Sequence, residues 1–389
     1  MQKIVVDRKL SVSEQSFFLF GPRGTGKSTW LMENYRDSLL FDMLDPLLLR
    51  SLTANPERLM ELIRASRKKT ILIDEVQRVP TLLDIVHQYM ERYGDKQFVL
   101  TGSSARKLKR VGVNLLAGRA IVRRLYPFLP CEISEQFSLE EALEFGLVPL
   151  IWFSSNRRET LNAYLGVYLK EEVQNEGLVR RLDSFSRFLT AVSFSQASLL
   201  NLAEVSRECE VERKTIAGFV EVLEDLLLAE QVPVFSKKSK RKLIKHSKFY
   251  FFDVGVYRSI RPTGPLDRPE EIHGAATETL VFQCLHAYLA YRSTKNELYF
   301  WRTQSGNEVD FIVYGDDGLF AIEVKNARQV HKKDLRSLHS FQEDFPLTQS
   351  LLLFRGPTPL VMNGILCLPL SDFLKRLDPD LSLREILTH

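Results

Sequence analysis

The sequence predicts an α/β protein with three regions: a mostly parallel sheet covered by helices on both faces, a helical middle, and a second α/β segment. Three observations predict it. Short apolar runs at Phe17–Phe20, Leu39–Phe41, Thr70–Asp74, Gln97–Thr101 and Ala120–Leu125 alternate with helical patterns, the spacing of parallel strands joined by crossovers. From about Glu132 to Val232 the helical period dominates. After Lys248 the strand-like runs return, first at Phe249–Phe252 and then around Trp301, Val309 and Ala321. A length of 389 residues suits two or three domains. Boundaries are expected near residue 130 and in the turn-rich stretch Arg261–Pro269.

Composition narrows the function classes. Charged residues make up 26% and hydrophobic ones 44%, which excludes a wholly disordered chain, a collagen-like repeat and a coiled-coil rod. No window approaches 18 uninterrupted apolar residues, and Lys3, Asp7, Arg8 and Lys9 stand where a secretory apolar core would sit, so no membrane contact is expected. Cys131, Cys209, Cys284 and Cys367 form no CxxC pair, which points to a cytoplasmic protein without a disulfide framework or zinc site. The net charge of +4 is small, but its distribution is not even. Between Lys96 and Cys131 no acid interrupts Arg106, Lys107, Lys109, Arg110, Arg119, Arg123 and Arg124. A second acid-free island, Ser236–Lys248, holds Lys237, Lys238, Lys240, Arg241, Lys242, Lys245 and Lys248. Such patches suit phosphate backbones, or are solvated loop tips.

The first strand, Phe17–Phe20, runs into Gly21-Pro22-Arg23-Gly24-Thr25-Gly26-Lys27-Ser28 and then a helical run from Thr29 to Tyr35. This is G-x-x-x-x-G-K-[ST] in its required strand, loop and helix context. The glycines allow backbone N–H groups and the helix N-terminus to point at a polyphosphate. Lys27 is the expected bridge between β- and γ-phosphates, and the Ser28 hydroxyl a magnesium ligand; ATP and Mg2+ are the cofactors this implies. The third strand ends Ile71-Leu72-Ile73-Asp74-Glu75. Asp74 is expected to hold magnesium, and Glu75 to polarise the attacking water, because a base must not be consumed by the metal. The fourth strand ends in Thr101-Gly102-Ser103-Ser104, where Ser103 or Thr101 would sense the γ-phosphate, and Arg119 follows as a candidate finger supplied to a neighbouring subunit.

The runs FLFGPRGTGKST, ILIDEVQ, LTGSSARKL and LLAGRA resemble the AAA-type ATPases of bacteria and archaea that carry a C-terminal domain of unknown function with a restriction-endonuclease-like core. The resemblance covers nearly the whole chain. It implies a P-loop AAA+-type ATPase core, a helical and winged-helix middle, and a nuclease-like end. One departure is Phe145-Gly146-Leu147-Val148-Pro149, where such proteins usually show a Gly-Gly-aromatic-Pro turn.

In the middle, Leu199–Glu208 and Glu212–Ala229 are two helical patterns with a short turn between them, as in a helix-turn-helix whose second helix exposes Arg213, Lys214 and Thr215. Val232–Phe235 and Phe249–Phe252 read as a hairpin whose tip is the basic island, a wing suited to phosphate contacts that do not read sequence. Glu210, Glu212, Glu221, Glu224 and Asp225 would oppose DNA on part of that surface, and winged helices also dock proteins.

At the C-terminal end a helix, Ala275–Tyr291, precedes strands Glu297–Thr303, Asn307–Tyr314 and Leu319–Lys325, then a helix Lys332–Phe345 and a strand Ser350–Phe354. Asp310 and Glu323-Val324-Lys325 fall on neighbouring strands, and Glu323 and Lys325 share a face. Two carboxylates and a lysine so placed can bind magnesium and activate water, with Glu278 as a further ligand. The set resembles the PD-(D/E)xK nuclease pattern. A salt-bridged sheet face, or a nuclease fold kept for binding, gives the same residues.

The expected organisation is therefore an ATPase core over 1–130, a helical lid over 131–195, a winged helix over 196–260 and a restriction-endonuclease-like domain over 270–389. The expected activity is a magnesium-dependent ATPase that binds, remodels or translocates on DNA, structure-selective rather than sequence-specific, as a homo-oligomer with a hexameric ring as one form. Two alternatives stand beside it: an ATP-regulated nuclease using Asp310, Glu323 and Lys325, and a signalling or scaffold ATPase with protein partners and an inert nuclease-like domain.

Overall fold

The computed structural model describes residues 5–102, 115–169, 182–236, 246–265 and 267–388. They fall into two compact units: one runs to Tyr126 and includes Asp225–Leu227, and the other takes Pro127–Glu224 and continues from Leu228.

The first unit is built on five parallel strands: β1 (Phe17–Phe20), β2 (Ser38–Asp42), β3 (Thr70–Asp74), β4 (Gln97–Gly102) and β5 (Ile121–Arg124), in the order β2-β3-β4-β1-β5. The interior strands are near-continuous apolar runs because both their faces are covered. One face carries Phe18, Phe20, Ile71, Ile73, Phe98 and Leu100, packed with Leu52, Leu59, Ile63, Leu83 and Val86 from helices Pro46–Ala54, Arg58–Ala65 and Leu82–Arg92. On the other, Phe17 meets the rings of Trp30 and Tyr35. The register Phe20↔Gly102 and Ile73↔Leu100 brings the carboxyl ends of β1, β3 and β4 to one edge. There the chain order reverses about β1, the usual place for a ligand crevice in an open α/β sheet.

The second unit begins with short helices, Leu139–Phe145, Pro149–Trp152 and Arg157–Ala163. The turn at Phe145–Pro149 works without a second glycine because Asp253 holds it: its carboxylate accepts the Leu147 N–H at 2.7 Å and also caps the helix Val254–Ile260 through Gly255 and Val256. A β-carbon at Gly146 would overlap that carboxylate, so the first position cannot change. Helix Leu182–Ser193, strand β6 (Ser198–Leu199), helices Leu202–Cys209 and Arg213–Asp225, and strands β7 (Ala229–Val232) and β8 (Lys248–Phe251) follow, with the strands in the order β6-β8-β7.

The hairpin expected at Val232–Phe235 lies three residues earlier. The helix ends at Asp225, the chain turns through Leu227 at positive φ, and Ala229–Val232 pairs with β8. Pro233 has no N–H to continue the ladder, so the chain leaves that sheet. Val234 and Phe235 join Phe300 instead: Phe235 donates its N–H to Phe300 at 2.7 Å, and Phe300 donates to Pro233 at 3.1 Å.

The long helix Pro269–Tyr291 comes next, followed by β9 (Asn296–Arg302), β10 (Glu308–Gly315), β11 (Gly318–Lys325), β12 (Gln349–Phe354), β13 (Leu360–Met362) and β14 (Ile365–Pro369). The sheet order is β13-β14-β12-β11-β10-β9, antiparallel through β9, β10 and β11 and parallel through β11, β12 and β14. Helix Arg336–Asp344 packs Leu338 and Phe341 on Trp301, Val309, Ile312 and Leu352. Among the described residues no helix is long and apolar enough to cross a membrane.

Candidate functional site

The loop Gly21–Gly26 turns back on itself because Gly24 and Gly26 sit at φ 82° and 90°, a region closed to most side chains. Thr25 stiffens the loop by donating its hydroxyl to Pro22 O at 2.8 Å. Lys27 opens the helix Lys27–Asn34 and is buried; its Nζ donates to Gly21 O at 2.7 Å and Pro22 O at 3.2 Å, at the mouth of the cradle that its N-terminal N–H groups face. Pro22 is buried, while Arg23 and Ser28 are exposed and Thr29 half-buried. Arg8, which carries no sequence signal, donates to Thr25 O at 2.9 Å and Tyr126 O at 2.6 Å and so fastens the loop from outside.

Adjacent strands bring the acidic pair to the same edge. The Ser28 hydroxyl donates to Asp74 Oδ2 at 2.7 Å, and Thr101 on the neighbouring strand donates to Asp74 Oδ1. Thr101 Oγ1 also accepts the Glu75 N–H at 2.9 Å, which holds Glu75 at φ 57°, a strained value for a side chain of this kind. Gln77, missed in the sequence reading, donates its amide to Glu75 Oε2, while its own Oε1 is buried without a hydrogen-bond partner. The geometry therefore joins Lys27, Ser28, Asp74, Glu75 and Thr101 in one cleft edge, with a cation, a hydroxyl, a metal-type carboxylate and a second carboxylate held apart from it. Ser103 lies outside the described residues.

Arg119 is tied to the helix Leu82–Arg92 of its own chain. Its guanidinium lies 2.9 Å from His87 Nε2 and donates to Glu91 Oε1 at 3.1 Å. Arg213 and Lys214 are exposed at the start of helix Arg213–Asp225; Lys237, Lys238, Lys240, Arg241 and Lys242 lie outside the described residues.

The C-terminal carboxylates meet as well. Asp310 sits at a register shift of β10, a bulge that re-aims its side chain, and accepts Val324 N–H at 2.8 Å. Lys325 pairs with Glu323 Oε1 at 2.5 Å, and Glu278 of the long helix accepts the Tyr250 hydroxyl at 2.6 Å. Lys248, read in the sequence as part of an exposed basic island, is buried among them, 2.8 Å from Glu278, 2.5 Å from Glu308 and 3.4 Å from Asp310. Burial first, then Asp310, pushes Glu278 up to about 7, and the same two causes raise Glu323 well above the ordinary glutamate range. The surrounding carboxylates outweigh burial at Lys248 and hold its ammonium above the usual lysine range.

Three stretches of the chain match known families. Residues 13–134 match a family model described as an AAA domain. Residues 136–267 and 273–373 match two models described as domains of unknown function, DUF8612 and DUF4143. Two curated relatives, Uncharacterized protein Mb2031c of Mycobacterium bovis and Uncharacterized protein Rv2008c of Mycobacterium tuberculosis, are each 26% identical over 347 residues, 87% of this chain and 76% of theirs. Among solved structures, the replication initiator DnaA bound to AMPPCP and single-stranded DNA aligns at 15% identity and a TM-score of 0.25, over 54% of this chain and 82% of that one, too loose a fit to carry an argument. The N-terminal segment is a P-loop ATPase domain of the AAA type, on a parallel five-stranded sheet.

Proposed function

We propose that the protein is a magnesium-dependent ATPase that engages DNA through the chain beyond its P-loop domain and works as a homo-oligomer. The observation that carries this reading is the convergence of Lys27, Ser28, Asp74, Glu75 and Thr101 on one sheet edge. Lys27 exchanges its loop carbonyls for the phosphates, which offer a full negative charge where the carbonyls offer only dipoles. Ser28 and Asp74, already in contact, fit as holders of magnesium, which would neutralise phosphate charge there. Glu75 takes the proton of the attacking water. Gln77 and Thr101 aim it, one from the side chain and one from the backbone.

A helix, a strand, two helices and two strands, with the three strands in the order β6-β8-β7, support a winged helix between 182 and 251, and the exposed Arg213 and Lys214 support a phosphate-binding face on its second long helix. Duplex binding through these residues should weaken steeply with salt, and Arg213→Glu with Lys214→Glu should weaken it about equally for all sequences. Fluorescence anisotropy on labelled single-stranded, duplex and branched DNA, with ATP turnover followed in parallel, tests this. Turnover indifferent to all three DNAs, with no salt-sensitive binding, would favour a scaffold ATPase with protein partners.

Oligomerisation has its own test. An arginine serving a neighbour's site must leave His87 and Glu91, an exposed pairing that costs little to break. Mixing Arg119→Ala chains with Lys27→Ala chains should then restore part of the turnover that each lacks; no recovery in a mixed oligomer argues against a shared site.

The nuclease alternative requires Asp310 and Glu323 to share a metal ion. The residues do not fit one: Asp310 is already paired with the Lys248 ammonium and Glu323 with Lys325, and among the described residues no three His, Cys, Asp or Glu side chains converge as a metal site does. We therefore read the C-terminal domain, whose strand order supports a restriction-endonuclease-like fold, as a non-cleaving element.

A further inference from the structure

We infer that Lys248 is a resident, tethered cation that takes the place of a divalent metal in the C-terminal carboxylate cluster and closes that cluster to metal. The ammonium has three protons to donate, and three carboxylates receive it: Glu278 at 2.8 Å, Glu308 at 2.5 Å and Asp310 at 3.4 Å. These come from two elements, the long helix and two positions of β10, and the ammonium lies within reach of all three. The lysine side chain is 1% exposed, so the charge is held inside the protein and not shared with solvent.

The remaining bonding capacity is used in the same sense. The Tyr250 hydroxyl donates to Glu278, Arg302 pairs with the second oxygen of Glu308 at 3.0 Å, and Val324 N–H donates to the second oxygen of Asp310. Lys325 neutralises one oxygen of Glu323. Lys248, Lys325 and Arg302 thus stand against the carboxyl groups of Glu278, Glu308, Asp310 and Glu323. Among these described carboxyl groups, Glu323 Oε2 is buried without a hydrogen bond, on a residue 5% exposed. A divalent ion brought to this oxygen and to Asp310 would face an ammonium already on Asp310, a repulsion that low-dielectric surroundings strengthen. Metal entry therefore requires Lys248 to leave.

The tether explains why it does not leave. Lys248 is the first residue of β8, paired on both sides by β6 and β7, and Tyr250 two residues on stacks against Phe282 of the long helix with centroids 4.3 Å apart. On the other side of the basic segment, Phe235 is fixed to Phe300 and surrounded by Tyr299, Tyr314, Phe341 and Phe345. Both ends of that segment are thus anchored in the C-terminal sheet, one by aromatic packing and one by the buried charge.

Calorimetric titration of Mn2+ into the full-length, nucleotide-free chain tests this independently of ATP chemistry. The unsubstituted protein should show no Mn2+ uptake that disappears on Asp310→Asn. Lys248→Met should gain one such site, binding at least about tenfold more tightly than anything in the unsubstituted chain and lost again in Lys248→Met/Asp310→Asn. Should Lys248→Met fail to fold without metal, either Mn2+ or the added change Glu278→Gln should restore a cooperative melt. Asp310-dependent uptake by the unsubstituted chain would overturn the inference, as would a folded Lys248→Met that gains no site, or an unfolded one that neither addition rescues.

Discussion

Glu75→Gln is expected to lower ATP turnover by about 10²–10⁴-fold, the span that a positioned general base contributes, while leaving ATP binding intact. The side chain keeps its size, and its backbone N–H remains on Thr101, so the cradle around Lys27 and Asp74 does not change. What is lost is a group able to take a proton. Phosphate release measured beside nucleotide affinity separates the two effects. A variant that retained more than about a tenth of the normal rate would move the base elsewhere along the sheet edge. Lys27→Ala, by contrast, should lose affinity and turnover together, because its ammonium binds the phosphates in the ground state as well as in the transition state.

Lys248→Ala is expected to destabilise the protein by about 3–5 kcal/mol, the cost of leaving buried charges without their partner. Glu278, Glu308 and Asp310 would then face one another with no ammonium between them. The same cluster sets a pH dependence whose direction is fixed. Glu278 has a folded-state value of about 7 against an ordinary 4.5, so the folded chain holds a proton that the unfolded chain has released. Stability from this group is complete below 4.5 and is lost as pH rises toward 7. Asp253 acts in the same direction, raised from 3.8 to about 6 by burial against the hydrogen bonds that lower it. Urea melts of the full chain should therefore show stability falling as pH rises from about 4 to about 7, and Glu278→Gln should lessen that fall while leaving the parts due to Asp253 and to Glu323, whose carboxyl burial also raises. A fall left unchanged by Glu278→Gln would mean that Glu278 is ionised in the folded protein throughout.

The candidate nucleotide site was legible in the sequence because the residues that form it are local. Eight consecutive residues fix the loop, and the apolar strands ending in Asp74 and Thr101 are short enough to read one at a time. Gln77 and Arg8 were not legible: one acts through the side chain of Glu75 two residues away, and the other reaches the loop from 17 residues upstream. The C-terminal pattern Asp310, Glu323 and Lys325 was visible as a strand pattern, with its helix and strand order. Its occupant was hidden, because Lys248 stands in an acid-free run that reads as solvated, and its partners lie 30 and 62 residues further along. A charge run has no periodicity that marks which member turns inward. The misplaced hairpin has a similar cause, since Val232–Phe235 is uniformly apolar apart from Pro233, and only the tertiary structure shows the chain changing sheets at that proline.

A nucleoside triphosphate is expected to bind between the Gly21–Ser28 loop and the Asp74–Glu75 edge. Isothermal titration of ATP, and separately ADP, into the full-length chain with magnesium tests it most directly. The expected result is one saturable site per chain for either nucleotide, lost in Lys27→Ala and kept in Glu75→Gln. Folded protein that takes up neither nucleotide, or takes them up equally well without Lys27, would contradict it.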